Sequence, residues 1–139
     1  MARVLQRLGS HHVLVVHGMD GMDEVSINTE SCIAELKDGE IREYTVTPEQ
    51  FGMSRASNDL LRVANVTEAG TMLRSVLDNQ PGAARDIVQL NAGAAIYAAG
   101  LSATLGEGVN RAGAVLADGS AKAKLAQLIA FSGQFSAKA

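Results

Sequence analysis

Residues 12–24 read HVLVVHGMDGMDE, and this stretch decides the fold. Its first part, HVLVV at 12–16, is a short continuous run of apolar residues, which is typical of a strand covered on both faces in a parallel sheet. Its second part bends at two glycines and then places the carboxylates of Asp23 and Glu24 side by side. Because α/β proteins bind ligands at the carboxyl ends of parallel strands, the stretch predicts an α/β fold with a site in this loop.

The segment after the loop predicts a β-hairpin. Residues 31–36 (SCIAEL) and 40–46 (EIREYTV) alternate between apolar and polar side chains, and Asp38-Gly39 between them is a pair preferred in tight hairpin turns. The single cysteine, Cys32, cannot form an internal disulfide, and the alternation places it within a strand. It is interpreted as a buried free thiol in a reducing compartment.

The other elements are predicted to be mainly helices, which divide the chain into a β-rich part (1–46) and a helical part (67–131). The predicted elements are a helix over 2–8 closed by Gly9, one turn after Pro48, a loop over 53–66 with a turn near Leu60, and helices over 68–78, 83–100, 106–117 and from Ser120 onward. Thr67 is expected to cap the helix at 68–78. The last helix is expected to bury Leu125, Leu128 and Ile129.

The sheet is predicted to be incomplete within this chain. A strand covered on both faces needs neighbours along its hydrogen-bonding edges, yet 12–16 is the one segment of that type and the hairpin strands look antiparallel. The pattern therefore indicates part of a larger α/β layer. A strand left at the edge of a sheet exposes unpaired backbone groups, so self-association through that edge is expected.

Composition argues against two classes of partner. The net charge of −3 gives no field that attracts a phosphate backbone, so a nucleic-acid partner is disfavoured. No stretch approaches 18 unbroken apolar residues, and no signal peptide precedes the first apolar run, so no membrane partner is expected. We therefore expect a cytoplasmic protein.

The loop at residues 17–26 is the candidate metal site. No Lys or Arg lies between Arg7 and Lys37, whereas five acidic residues do. Such a group of acids suits a hard cation, and Mg²⁺ is the natural candidate because it takes one or two carboxylates together with waters and substrate phosphates. Asp23 and Glu24 are the candidate ligands. The alternative is a solvated turn whose acids point into water.

Several other polar or sulfur-containing residues are interpreted as structural. His17 is expected to be a hydrogen-bonded residue at the end of the buried strand, and His12 to lie in solvent. Met19 and Met22 are expected to pack. Asn91 lies in an apolar helix, where its amide is expected to satisfy a buried backbone group.

The pattern H-G-x-x-G-x-D-E, formed by His17, Gly18, Gly21, Asp23 and Glu24, resembles anthranilate phosphoribosyltransferase, the second-step enzyme of tryptophan synthesis. The resemblance continues through residues 41–57, 84–112 and 118–128, which include the R-D-x-V-x-L-N-A motif. It runs from end to end of the chain in register, and it covers about the last two-fifths of such an enzyme. The segment RVANVTEAGTML, at 62–73, departs from the family pattern.

The resemblance implies a fold for residues 1–139. The fold is α/β, the C-terminal part of a mixed, mainly parallel sheet covered by helices, with a β-hairpin. It is incomplete relative to the family fold, and the N-terminal half is missing.

The resemblance also implies a function. Enzymes of this family join the amine of anthranilate to the ribosyl carbon of phosphoribosyl pyrophosphate and release pyrophosphate. Asp23 and Glu24 match the acidic pair that holds the catalytic Mg²⁺, and no residue of this chain is assigned as catalytic or as binding another cofactor. The family's G-T-G-G-D loop, its K-H-G-N segment and its anthranilate-binding arginine are absent from this sequence.

Two alternatives remain open at the level of sequence. The chain could be a non-catalytic binding or assembly module of the same fold, which pairs with another chain through its open sheet edge. It could also be related to a pyrimidine nucleoside phosphorylase, although the H-G-x-x-G-x-D-E loop argues against this reading.

Overall fold

A computed structural model of the chain describes residues 1–136 and shows an α/β fold. The elements in order are α1 (Ala2–Arg7), β1 (His12–Gly18), β2 (Ser31–Lys37), β3 (Glu40–Val46), short 3₁₀ turns at Pro48–Phe51 and Asn58–Leu61, α2 (Val66–Leu77), α3 (Ala83–Ala98), α4 (Leu105–Ala117) and α5 (Ser120–Ser136). The predicted class, the three strands and the positions of the helices are confirmed. No helix within residues 1–136 combines the length and the apolar character needed to cross a membrane.

The three strands form one antiparallel sheet in the order β1-β2-β3. β1 pairs with β2 over its whole length, with Gly18 opposite Ser31, and β3 pairs with the other edge of β2. The predicted hairpin is confirmed: Asp38 and Gly39 both have positive φ angles, 52° and 81°, as a two-residue hairpin turn requires.

The mainly parallel pairing expected from the sequence is not found among the strands described in residues 1–136, where both pairings are antiparallel. The link between β1 and β2, residues 19–30, contains no helix, so it cannot provide the crossover that a parallel pair needs. β1 is an edge strand, and its outer edge has no partner strand within the described residues. An edge strand at β1 is compatible with the predicted incomplete sheet.

The core lies between one face of the sheet, the loops and helices α3 and α4. Its buried members are Val25, Ile27, Ile33, Val46, Met53, Ile87, Leu90, Ala94 and Val109. Helices α3 and α4 approach each other through glycine: a Cβ atom on Gly93 would lie 2.5 Å from the Cα of Val109, and one on Gly108 would collide with the carbonyl oxygen of Gly93. The two helix backbones are therefore in direct contact.

The second face of the sheet is only partly covered. Helix α1 contacts β1 and β2, and Leu36 on this face is fully buried. Cys32 shares the face but is exposed, so the prediction of a buried thiol is wrong. The side chains of β2 alternate between the two faces as predicted, but the face that packs against the main core is that of Ile33 rather than that of Cys32.

Two predictions about helix ends and faces are also wrong. The N-cap of α2 is Asn65 rather than Thr67: its side chain accepts a hydrogen bond from the N–H of Glu68 at 3.0 Å. In α5, Leu128 and Ile129 are each 59% exposed, because nothing within residues 1–136 packs over them.

Candidate functional site

The candidate site is the loop that follows β1, and its glycines are required by a tight turn. The N–H of Gly18 donates to the carbonyl of Met22 at 2.9 Å, and the N–H of Gly21 donates to the carbonyl of Gly18 at 2.9 Å. Gly21 has a φ of 91°, which is a left-handed conformation that favours glycine. A Cβ on Gly18 would lie 2.7 Å from Oδ1 of Asp20. The loop therefore folds back closely on the end of the strand.

Asp20 organises the interior of this loop. Its Oδ2 accepts hydrogen bonds from the hydroxyl of Ser26 and the amide of Asn58, each at 2.7 Å, and its Oδ1 lies 3.3 Å from the N–H of Met22. Burial alone would raise the pKa of Asp20, but these hydrogen bonds outweigh it and hold the pKa below its ordinary value. Sequence reasoning counted Asp20 among the loop acids but missed this role, because Asn58 lies far along the chain.

Asp23 and Glu24, named here the acidic pair, lie at the outer side of the loop. Asp23 is exposed and Glu24 is partly buried. Within residues 1–136, neither carboxylate has a hydrogen bond or an ion pair to another side chain. Burial and the neighbouring charge of Asp23 raise the pKa of Glu24 above its ordinary value. The two carboxylates therefore repel each other, and no basic side chain of the described residues offsets this repulsion.

An apolar groove of about 380 Å³ beside Glu24 explains part of this shift. Glu24 is the one charged residue among those that line it, and its neighbours there include Met22, Met72 and Val88. An apolar wall disfavours the charged form of a carboxyl group. Met22 also packs against the core, as the sequence predicted.

The backbone on either side of the acidic pair is fixed by hydrogen bonds. Before the pair, the carbonyl of Met22 is bound by Gly18 as described above. After the pair, the N–H of Val25 donates to Oδ1 of Asn91 at 2.8 Å, and Nδ2 of Asn91 donates to the carbonyl of Val25 at 2.9 Å. Asn91 also donates to the carbonyl of Ile87 at 3.0 Å. The prediction that Asn91 satisfies a buried backbone group is confirmed.

The acidic pair fits Mg²⁺ as part of a coordination shell. Within residues 1–136 no group of three or more His, Cys, Asp or Glu side chains is close enough together to hold a metal ion. Mg²⁺ commonly takes one or two protein carboxylates and completes its shell with waters and phosphates. Two neighbouring carboxylates without a basic partner in the described residues are a donor set compatible with such a partial shell.

Other residues of β1 and of the loop differ from their predictions. The side chain of His17 is exposed and makes no hydrogen bond within residues 1–136, so its predicted role as a hydrogen-bonded structural residue is wrong. Met19 is 58% exposed rather than packed, and its sulfur lies 3.7 Å from that of Cys32. His12 is not in solvent: its Nε2 lies 2.9 Å from Oε1 of Glu35, and its ring meets that of Tyr97 edge-on at 4.7 Å.

Comparison with known proteins identifies the family of this chain. Residues 1–122 match the glycosyl transferase family, a/b domain. The chain belongs to this family. Anthranilate phosphoribosyltransferase of Methylococcus capsulatus is 59% identical over 137 residues, which cover 99% of this chain and 40% of the relative. The enzyme of the same name from Thiobacillus denitrificans is 55% identical over 134 residues, which cover 96% of this chain and 39% of the relative.

Solved structures of anthranilate phosphoribosyltransferases resemble the fold of this chain. Anthranilate phosphoribosyltransferase from Thermus thermophilus superimposes with a TM-score of 0.83 at 39% identity, over 94% of this chain and 38% of that one. The Saccharomyces cerevisiae enzyme in complex with PRPP and Mg gives a TM-score of 0.72 at 18% identity, over 82% and 33%, respectively. The chain thus spans about two-fifths of the length of the relatives it matches.

Proposed function

We propose that this chain is the metal-binding C-terminal part of an anthranilate phosphoribosyltransferase that acts in tryptophan biosynthesis in the cytoplasm. One observation carries the proposal: an acidic pair without basic partners, fixed on both sides by hydrogen bonds, in a chain 59% identical to a relative of that name. The yeast relative, whose structure contains PRPP and Mg, supports the choice of ligands.

In the proposed reaction, the amine nitrogen of anthranilate forms a bond to the ribosyl carbon of phosphoribosyl pyrophosphate. The bond from that carbon to pyrophosphate breaks, and the amine loses a proton. When bound, Mg²⁺ supplies positive charge that offsets the charge developing on the pyrophosphate. Asp23 and Glu24 would hold the ion, on a backbone that Gly18 and Asn91 bind through hydrogen bonds.

The proposed activity needs the rest of the family fold. The G-T-G-G-D loop and the K-H-G-N segment are absent from these 139 residues. We therefore expect the chain by itself to be inactive and to bind Mg²⁺ weakly, because substrate phosphates supply part of the coordination.

A chimeric enzyme tests the proposal. In it, this chain replaces the matching 137-residue segment of the Methylococcus capsulatus relative. We expect the chimera to consume anthranilate in the presence of phosphoribosyl pyrophosphate and Mg²⁺, which the loss of anthranilate fluorescence measures. The double variant Asp23→Asn/Glu24→Gln should lower kcat/KM at least about 100-fold, because metal-ion catalysis contributes several kcal/mol.

The matched control removes two acids from the other end of the sheet. Asp38→Asn/Glu40→Gln changes the net charge by the same amount at exposed positions, and it should leave kcat/KM close to that of the parent chimera. Full activity of the Asp23→Asn/Glu24→Gln chimera would contradict the proposal.

The open edge of β1 and the uncovered part of the sheet favour one second candidate, a non-catalytic assembly module. A chimera that folds and assembles but turns over neither anthranilate nor a pyrimidine nucleoside would support this alternative. Phosphorolysis of a pyrimidine nucleoside would instead indicate the phosphorylase-like reading.

A further inference from the structure

We infer that Asn91 is a positioning residue for the Mg²⁺ site, and that it acts by holding the backbone next to Glu24 in place. The inference rests on the proposed function, because it assigns a role toward the ion that the acidic pair is proposed to hold. Asn91 comes from helix α3 and lies 66 positions from Val25 in the chain, so its contact with the loop is a tertiary one.

The geometry of the contact fixes the direction of the Glu24 backbone. The N–H of Val25 belongs to the planar peptide group that joins Glu24 to Val25. Oδ1 of Asn91 accepts this N–H at 2.8 Å, and Nδ2 of the same amide donates to the carbonyl of Val25 at 2.9 Å. One planar side chain therefore holds the peptide groups on both sides of Val25, and Glu24 cannot turn about its own backbone without breaking the first of these bonds.

The support behind Asn91 is rigid. Its Nδ2 also donates to the carbonyl of Ile87 one helical turn earlier, at 3.0 Å, which restricts the rotamer of the side chain. The adjacent Leu90 is 1% exposed, and Gly93 brings the same helix into backbone contact with α4. The position of the Glu24 backbone is thus tied to the packed core. Hydrogen bonds that orient metal ligands are worth about 10- to 100-fold in metal affinity in proteins, and this range sets the scale of the effect expected for Asn91.

A purely structural role makes a different prediction from a positioning role. If Asn91 only satisfied buried backbone groups, its removal would lower the thermal stability and leave the affinity for the ion unchanged. If it positions Glu24, the affinity for the ion falls as well, since the two carboxylates no longer meet the ion together.

Two variants of the chimera separate these cases. Asn91→Leu keeps the size of the side chain and removes all three hydrogen bonds. Asn91→Ser keeps a hydroxyl that can bind the carbonyl of Ile87 but is too short to hold Val25, so it tests the contact in a helix that is less disturbed. The matched control is Gln89→Leu, which removes another amide of α3, one that donates to the carbonyl of Val109 at 3.1 Å.

The measurement is the binding of Mn²⁺, used as a paramagnetic substitute for Mg²⁺, by electron paramagnetic resonance with inorganic pyrophosphate present. We expect Asn91→Leu and Asn91→Ser to weaken Mn²⁺ binding about 10- to 100-fold and Gln89→Leu to leave it unchanged. Unchanged binding in a folded Asn91→Ser protein would overturn the inference and leave the proposed function intact. Unchanged binding in Asp23→Asn/Glu24→Gln would instead overturn the metal assignment itself.

Discussion

At the scale of the residue, the most informative group is the carboxyl of Glu24. It lies against an apolar groove and beside the charge of Asp23, and both effects favour its protonated form. A bound cation favours the ionised form. The charged carboxylate is therefore unfavourable for folding when no cation is bound, and it would favour binding of the proposed Mg²⁺.

This conflict gives a prediction about pH. Because protons compete with the ion for Glu24, whose pKa is raised above 4.5, the Mg²⁺ concentration that half-activates the chimera is expected to rise as the pH falls toward that pKa. Titrations with Mg²⁺ at a series of pH values would measure this change.

A second prediction concerns the metal-free protein. An acid whose pKa is raised in the folded state lowers the free energy of unfolding as the pH rises through that pKa. Glu24→Gln is therefore expected to stabilise the metal-free protein at pH 7. Lower stability of apo Glu24→Gln would contradict this account.

At the scale of the elements, a polar network ties the three strands to α3 at the end of the sheet away from the acidic pair. Glu35 of β2 is 8% exposed and is bound by the hydroxyl of Tyr44 at 2.9 Å as well as by His12. Lys37 donates to the hydroxyl of Tyr97 at 3.3 Å. Burial would raise the pKa of Glu35, but hydrogen bonds from Tyr97, Tyr44 and His12 outweigh it and hold the pKa below its ordinary value.

This network predicts a contribution to stability that depends on pH. A carboxyl whose pKa is lower in the folded state stabilises the fold above its unfolded pKa, near 4.5, and loses that contribution as the pH falls through the folded value. Glu35→Gln should therefore cost about 1–3 kcal/mol at pH 7 and flatten the loss of stability below pH 4.5. Urea unfolding of the 139-residue chain at several pH values measures both effects. Glu43→Gln, an exposed carboxylate on the other face of the sheet, is the control and should change neither.

Local patterns predicted these elements better than they predicted which surfaces are buried. Alternation and the Asp38-Gly39 pair were sufficient for the hairpin, and an amide in an apolar helix was sufficient for the role of Asn91. The cap of α2 was misplaced because Thr67 and Asn65 are both good capping residues. The choice between them depends on the side chain of Glu68, which reaches back to the N–H of residue 64 at 2.9 Å.

The exposure of Cys32 and the enclosed position of His12 could not be predicted because they depend on tertiary contacts rather than on local pattern. His12 depends on an element that comes much later in the chain, and Cys32 depends on how far α1 extends over its face of the sheet. His12 is enclosed by Tyr97, which α3 brings to it from 85 positions along the chain. Cys32 is exposed because α1 covers only one end of its face, and local alternation cannot tell which face of a strand will be covered.

At the scale of the whole molecule, the outer edge of β1 and the bare part of the second face form one continuous surface. Apolar side chains such as Val15 and Ala34 line it together with Cys32. Unpaired strand edges beside apolar surface promote association. We therefore predict that the 139-residue chain self-associates in a concentration-dependent way, which sedimentation velocity would measure.

Val15→Lys places a charge on this surface and should shift the chain toward monomer. The exposed, distant Glu40→Lys should not have this effect. If the wild-type chain stayed monomeric at high concentration, the edge of β1 would not promote association. In the chimera, the same surface is expected to be covered by the rest of the family fold.

The glycine contact between α3 and α4 has a consequence for motion. At Gly93 and Gly108 no side chain separates the two helix backbones, and a Cβ atom at either position would collide with the other helix, so the two helices pack closely against each other. Asn91 joins the loop to the first of these helices. We therefore expect any domain motion of the proposed enzyme to carry the loop, α3 and α4 together.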